Sequence, residues 1–174
     1  GELLGDHNLF RKTLPYEGSA KIPMIFKGPG IPAGAISSVP SELRDVMPTL
    51  LFAAGLPIPD IVEGENLLPA MNGNNEGYKK YIHGEHPTLG QSYQWLTDGK
   101  TKYIWMSKTG IEQLFDLEND AQELRDISKS EPELLKHWRQ ILIKELKGRE
   151  EGFSDGTKLV KNRPVKPTLN HVFS

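Results

Sequence analysis

The stretch Ser92–Met106 reads SYQWLTDGKTKYIWM and decides the fold of the chain. Two apolar, aromatic-rich runs flank Asp98-Gly99, a strong hairpin signal because glycine adopts the positive φ that such a tight turn requires. In the returning strand, Lys100–Met106, aromatic and aliphatic side chains occupy successive positions, so both faces of the strand are apolar. The sequence therefore predicts a β-hairpin whose second strand is central in its sheet and covered on both sides.

Two shorter strands flank this hairpin. Tyr81–Gly84 precedes it, and Ile111–Asp116 follows it after a turn at Ser107–Gly110. Connections this short join antiparallel neighbours, because parallel strands need a long crossover. The sequence therefore predicts a four-stranded antiparallel meander.

A helix is predicted after the meander. Ser130-Glu131-Pro132-Glu133 has the spacing of a capping box with proline in the first turn. Apolar residues then recur at helical spacing, with a stop predicted at Gly148: Leu134, Leu135, Trp138, Ile141, Leu142 and Leu146. We expect this helix to lie across the meander, and residues 151–174 to form an extended or disordered tail.

The N-terminal half predicts a strand followed by a helix. Ile22–Phe26 is apolar and ends at the Gly- and Pro-rich loop Lys27–Gly34. With Asp45 as N-cap, Pro48 falls in the first helical turn, where a missing N–H is tolerated, and Gly55 ends the helix. The predicted apolar face comprises Val46, Met47, Leu50, Leu51 and Ala54. The fold class is therefore α+β, with the best internal boundary near residue 75.

The composition excludes several classes of protein. The 174 residues are 37% hydrophobic, enough for one ordinary core, and contain no apolar run of bilayer-spanning length. With 21 basic and 23 acidic residues interspersed, the net charge of -2 gives no reason to expect nucleic acid or a membrane as partner. The absence of cysteine excludes disulfides and a thiol nucleophile within the chain and leaves its compartment open.

Cationic side chains cluster near the N-terminus. Gly5–Lys12 reads GDHNLFRK and carries the imidazole of His7, the guanidinium of Arg11 and the ammonium of Lys12. Preorganised donors of this kind are what a site for an oxyanion ester requires, because they meet the charge that develops during its hydrolysis. The cluster therefore predicts part of an anion-binding active site.

Three motifs in the chain resemble the downstream part of the sulfatases, in the alkaline phosphatase superfamily. Their residues are, in the family's order, Gly5-Asp6-His7 with Lys12 and Tyr16–Pro23, then Asp45 with Pro48–Leu51 and Ala54–Leu56, then Gly99-Lys100 with Lys102–Ile104 and Glu112–Asp120. The resemblance implies a C-terminal portion of a sulfatase. Residues 1–75 would complete the α/β catalytic domain with a strand and a helix. Residues 76–150 would form a small subdomain of antiparallel sheet plus helix, before the tail at 151–174.

The resemblance also implies a parent enzyme that hydrolyses sulfate esters with a formylglycine nucleophile and a calcium ion. The family's Cys/Ser-x-Pro-x-Arg motif, which yields formylglycine, does not occur in this chain, and its metal-binding carboxylates would lie upstream. We therefore expect no cofactor or metal ligand within the chain, and no sulfatase activity from the isolated chain. A periplasmic or secreted location is compatible with the resemblance.

Four residues are the candidates for the site. Lys12 matches the family lysine that contacts a sulfate oxygen, and His7 could protonate the leaving alkoxide or bind a substrate hydroxyl. Arg11 could bind a sulfate or carboxylate, although an internal pair with Asp6 or Glu17 is the favoured alternative. His86 is a candidate for the rim of the pocket. Tyr16 and Glu17 are assigned to a structural turn.

Other interpretations stay open. His83, Glu85 and His86 could suggest a metal site, but successive strand residues point to opposite faces, which disfavours it. A phosphodiester or phosphonate ester hydrolase of the same superfamily would also need the lysine. A noncatalytic module for sulfated glycans would use the strand aromatics as a platform, although cross-strand packing is the favoured role for them. Finally, a first strand without sheet neighbours predicts self-association through its exposed edge.

Overall fold

A computed structural model describes residues 1–88 and 90–165. The chain forms two compact units. One of them, here called the sheet unit, contains Gly1–Ile22 and the described residues from His83 onward, and the other contains Pro23–Ile82. The helices are α1 (Glu17–Ala20), α2 (Val46–Ala53), α3 (Leu68–Met71) and α4 (Pro132–Glu145), with 3-10 turns at Asp6–Asn8 and Leu43–Asp45. The strands are β1 (Ile82–Thr88), β2 (Gln91–Thr97), β3 (Thr101–Met106) and β4 (Glu112–Asp116). None of the described helices is long and apolar enough to cross a bilayer.

The four strands form the predicted antiparallel meander, in the order β1-β2-β3-β4. Trp95 on β2 pairs with Ile104 on β3, and Ile104 pairs in turn with Gln113 on β4. The β2–β3 turn is centred on Gly99, whose φ of 87° explains the glycine, and the Asp98 carboxylate accepts the amide of Thr101 at 2.7 Å. The hairpin prediction is therefore confirmed.

Strand β3 is central and covered on both faces, as predicted. Its four middle residues, 102–105, are all buried, and Trp105 packs edge-on against Phe153 with ring centroids 5.7 Å apart. The side chains buried in this unit include Leu96, Leu114, Phe115, Trp138, Leu142, Ile143 and Leu146. These contributions from β2, β4 and α4 place the hydrophobic core around β3.

Helix α4 packs on β2 and β3, but its start differs from the prediction. Pro132 is in the first turn, whereas the predicted capping box is wrong because Glu131 is the N-cap and makes no side-chain cap. The Ser130 hydroxyl instead donates to the carbonyl of Ile127 in the preceding turn. Beyond α4, the chain packs back: Ser154 Oγ donates to Ile143 O at 2.7 Å, and Asn162 N donates to Ser107 O at 2.7 Å. Residues 166–174 of the predicted tail lie outside the described residues.

The unit Pro23–Ile82 departs from the prediction in two ways. The predicted strand Ile22–Phe26 is wrong, because no described strand pairs with it and Ile25 is 89% exposed. Helix α2 does begin after Asp45 with Pro48 in its first turn, yet the predicted apolar face is largely exposed, with Leu50 at 58%. The predicted domain boundary near residue 75 concerns the catalytic domain of a parent protein and stays a prediction. Self-association through an exposed strand edge also stays a prediction.

A buried carboxylate lies directly before the start of α2. Asp45 is fully buried and accepts hydrogen bonds from the amides of Glu42 and Glu65, both at 2.8 Å. The ammonium of Lys79 lies 3.0 Å from Asp45 and 2.7 Å from Glu42. These contacts fix the start of α2, because a buried carboxylate is stable only when it is paired and hydrogen-bonded.

Candidate active-site segment

Residues 2–18, here called the N-terminal loop, form a closed loop. Its two ends are joined by a hydrogen bond from Glu2 N to Gly18 O at 2.7 Å, and Leu3 N donates to Arg11 O at 3.1 Å. Leu3, near the start of the loop, is buried. Three of the four candidate residues, His7, Arg11 and Lys12, therefore lie on one closed loop.

The N-terminal loop concentrates strained backbone. Four of its non-glycine residues have positive φ: Leu4 (49°), His7 (53°), Asn8 (59°) and Arg11 (70°). A non-glycine residue in this region costs free energy and persists only where its surroundings hold it there. Two of the four are candidate site residues, so the strain coincides with the predicted site.

His7 is held against an aromatic side chain. Its ring stacks on Tyr16 with centroids 4.0 Å apart and planes at 14°, and Tyr16 lies edge-on to Phe115 at 5.9 Å. The Tyr16 hydroxyl donates to Gln113 Oε1 at 3.2 Å, and burial raises the pKa of Tyr16, so its phenol stays protonated. Tyr16 thereby links the imidazole to strand β4.

The two cations that follow are exposed. Arg11 does not form the predicted pair with Asp6 or Glu17, because Glu17 is bound instead by Lys102 at 2.6 Å and Lys21 at 3.6 Å. The described residues offer the Lys12 ammonium no hydrogen-bond or ion-pair partner. Both side chains are therefore available to an anion from solution.

The fourth candidate lies apart from the others. His86 is half-buried in the edge strand β1. Within the described part of the chain, residues 1–88 and 90–165, no contact links His86 to the N-terminal loop. Its neighbours in the metal interpretation are engaged with other partners. His83 Nε2 lies 2.8 Å from Gln94 Oε1, and Glu85 accepts hydrogen bonds from Arg149 at 2.8 and 2.9 Å.

The surroundings of His83 predict that stability depends on pH. Burial lowers the pKa of His83, outweighing the Gln94 hydrogen bond and the charges of Glu85 and Glu145 that raise it. Because the folded-state pKa lies below the unfolded value of ~6.5, folding disfavours the protonated imidazole. We expect the free energy of unfolding to fall between about pH 7.5 and 5.5, and urea titrations at both ends should show a smaller loss in His83→Gln.

The matched control for this prediction is His137→Gln, which replaces an exposed histidine on α4. This variant should keep the wild-type pH dependence. An equal loss of stability in wild type and His83→Gln would show that His83 is not the group that titrates.

A buried ion cluster anchors the N-terminal loop, and the sequence interpretation missed it. Lys102 on β3 is fully buried, and its ammonium donates to Pro15 O at 2.8 Å. The same ammonium pairs with Glu17 at 2.6 Å and with Glu123 at 3.2 Å. The signal was present, because a lysine in a strand predicted to be covered on both faces requires buried acceptors.

Glu123, in the segment that follows β4, completes the cluster. Its Oε2 accepts the amide of Glu17 at 2.5 Å, and its backbone has a φ of 56°. Burial raises the pKa of Glu123, although the Lys102 charge opposes that shift. Glu123 and Lys102 thus hold the turn that follows Lys12.

Comparison with known proteins identifies a family and relatives of this chain. The family described as N-sulphoglucosamine sulphohydrolase, C-terminal, matches residues 5–151. An arylsulfatase of Clostridium perfringens is 46% identical over 178 residues, covering 99% of this chain and 37% of the relative. Human arylsulfatase K is 34% identical over 146 residues, covering 77% of this chain and 27% of the relative. The chain therefore spans less than two fifths of these relatives.

Solved structures share the fold. BT4656, in complex with its substrate D-glucosamine-2-N,6-O-disulfate, superposes with a TM-score of 0.76 at 23% identity, over 84% of this chain and 32% of that one. A phosphonate monoester hydrolase of Silicibacter pomeroyi superposes with a TM-score of 0.71 at 24% identity, over 84% and 33%. The predicted α+β class and the predicted resemblance to sulfatases are confirmed. The chain belongs to the N-sulphoglucosamine sulphohydrolase C-terminal family of sulfatases.

Proposed function

We propose that this chain is the C-terminal part of a sulfuric ester hydrolase and that its N-terminal loop binds the sulfate group. The observation that carries the proposal is the exposed ammonium of Lys12 beside Arg11, which has no ion-pair partner among the described residues and lies on a loop whose Glu17 carboxylate is already engaged by Lys102. Binding of a sulfate oxyanion to this ammonium would therefore break no ion pair among the described residues. The family match and the relatives named arylsulfatase and choline-sulfatase support the sulfate ester as substrate.

Each candidate has a separate role in the proposed reaction. Lys12 donates hydrogen bonds to a sulfate oxygen and stabilises the negative charge that grows there. His7, held by stacking on Tyr16, protonates the departing alkoxide oxygen or binds a substrate hydroxyl. Arg11 adds a second cation for a sulfate or carboxylate. His86 stays a candidate for the pocket rim.

The remaining chemistry is assigned to other parts of the parent protein. Formylglycine would supply the nucleophile, and calcium would bind the sulfate oxygens. The described residues include no group of three or more His, Asp or Glu side chains placed to hold a metal. The proposal therefore assigns no metal contact to this chain. The substrate class is a sulfated small molecule or glycan.

A chimeric enzyme tests the proposal. This chain would replace the matching stretch of the Clostridium perfringens arylsulfatase, and hydrolysis of an aryl sulfate would be measured for the chimera and for the isolated chain. We expect turnover by the chimera and none by the isolated chain. A chimera that melts cooperatively yet lacks turnover would contradict the proposal.

Two further assays separate the alternatives. Faster cleavage of an aryl phosphonate monoester than of the aryl sulfate would favour the phosphonate ester hydrolase. Calorimetric binding of a sulfated oligosaccharide by the isolated chain would favour a noncatalytic module. That module lacks its aromatic platform here, since Tyr103 and Trp105 are buried and Trp95 packs against the core.

A further inference from the structure

Lys102 joins two parts of the chain that are distant in sequence. It is the second residue of β3, and its three partner atoms come from the turn after Lys12 and from the segment after β4: Pro15 O, Glu17 Oε1 and Glu123 Oε1. Its ammonium donates a hydrogen bond to Pro15 O, and the carboxylates of Glu17 and Glu123 lie within ion-pair distance of the same ammonium. Because Lys102 is fully buried, its ammonium is not exposed to a substrate.

The contacts of Lys102 fix the turn rather than a single side chain. Pro15 is held through its carbonyl, and Glu17 is held through both its carboxylate and its amide, which donates to Glu123. The Ser19 hydroxyl donates to the carbonyls of Leu14 and Tyr16 and tightens the same turn. Residues 14–19 are therefore tied to the sheet at several points.

This turn is also where the candidate site is attached. Tyr16, between the two residues held by Lys102, carries the ring on which His7 stacks. Lys12 lies three residues before Pro15 in the chain. A shift of the turn would therefore displace both candidates together.

We propose that Lys102 is a positioning residue for the site, holding the turn at residues 15–17 so that the strained N-terminal loop presents His7 and Lys12 in one fixed geometry. The inference rests on the proposed function, because it assigns Lys102 no chemistry of its own. The buried Glu123 and the partly exposed Glu17 act with it as counter-charges.

The choice of lysine supports a positioning role. An apolar residue at this position of β3 would suit the surrounding core, since buried ion pairs often stabilise no more than apolar side chains of similar volume. A buried ammonium group instead requires oxygen partners, so it stabilises the fold only when the turn brings the Pro15 carbonyl and the Glu17 carboxylate to it. Such external constraint is what a loop with four residues at positive φ needs to keep one conformation.

Hydrogen exchange of the isolated chain tests the positioning independently of catalysis. Lys102→Met should raise amide exchange in residues 2–20 by about tenfold more than in β2 and β3, whose smaller rise reports the loss of global stability. Glu17→Gln removes one contact but keeps the pair between Lys102 and Glu123, so it should fold and raise exchange in the same residues by less. The matched control is Arg139→Met, which breaks the pair of Arg139 with Glu112 at 2.6 Å, between α4 and β4.

Kinetics of the chimera give the second measurement. Lys102→Met should lower kcat for an aryl sulfate by roughly tenfold to a hundredfold, as expected for a misplaced catalytic group, with Arg139→Met within about twofold of wild type. If Lys102 acts through Lys12, the loss in the Lys12→Ala, Lys102→Met double variant should be smaller than the product of the single losses.

The outcomes separate this inference from the proposed function. Unchanged exchange of residues 2–20 in both Lys102→Met and Glu17→Gln would overturn the positioning role, as would a uniform rise like that of a globally destabilised chain. A fully multiplicative double variant would also overturn it. If Lys12→Ala leaves the chimera fully active, the proposed function fails, while the exchange experiment still decides whether Lys102 holds the loop.

Discussion

Lys12→Ala is expected to lower kcat/KM of the chimeric enzyme for an aryl sulfate by about a hundredfold to a thousandfold, the usual effect of removing one donor to a developing oxyanion. The lysine has no partner among the described residues, so the substitution removes no internal contact and should leave stability unchanged. Steady-state kinetics and a thermal melt of each variant would measure the two effects. The loss should appear mainly in kcat, since the charge on the oxygen grows towards the transition state.

Lys108→Ala is the matched control for this prediction. Lys108 is an exposed lysine in the turn after β3, so its removal changes the net charge equally without touching the N-terminal loop. Lys12→Arg should recover only part of the activity, because a planar guanidinium does not reproduce the compact ammonium. Equal activities of Lys12→Ala and Lys108→Ala would show that Lys12 makes no contact with the sulfate group.

The second large effect concerns stability. Lys102→Met in the isolated chain should reduce the free energy of unfolding by about 3–5 kcal/mol, because it leaves the Glu123 carboxylate buried beside Glu17 without a counter-charge. Adding Glu17→Gln and Glu123→Gln to Lys102→Met should recover a large part of the loss, since the triple variant buries no net charge. Urea titrations of the single and triple variants would measure both values.

The pH dependence of Lys102→Met provides an internal check. Burial already raises the pKa of Glu123, and loss of the Lys102 charge removes a contribution that lowers it. A carboxyl group whose folded-state pKa is raised contributes stability below its unfolded pKa and loses it as pH increases through the folded pKa. The variant should therefore be less impaired at about pH 5 than at about pH 8. A pH-independent loss, or a triple variant no more stable than the single one, would contradict the ion-cluster explanation.

Local sequence signals predicted the sheet unit well. Asp98-Gly99, the successive apolar residues of β3 and the helical spacing around Trp138 each depend on neighbours in sequence, and the structure confirms all three. The capping box at Ser130 failed because its hydroxyl found an acceptor in the turn before the helix. Ile22–Phe26 failed because a strand also needs a partner strand, which no property of the segment itself provides.

The candidate site was predictable only in part. His7, Arg11 and Lys12 are close in sequence, so their placement on one loop follows from local spacing. The predicted pair of Arg11 with Glu17 was wrong because Lys102, a buried lysine 85 positions after Glu17, pairs with the same carboxylate. Sequence spacing cannot rank two such partners, since the distance between them is set by the fold.

By itself, the sequence determined the order of the sheet, the central place of β3, the family resemblance and the cationic loop. All of these depend on periodicity, turn residues or short motifs, which act over a few residues. Only the tertiary structure decided that Lys102 meets Pro15, Glu17 and Glu123, and that His7 stacks on Tyr16. Burial in the folded core fixes those contacts, because an ammonium removed from water must find acceptors wherever the chain brings them.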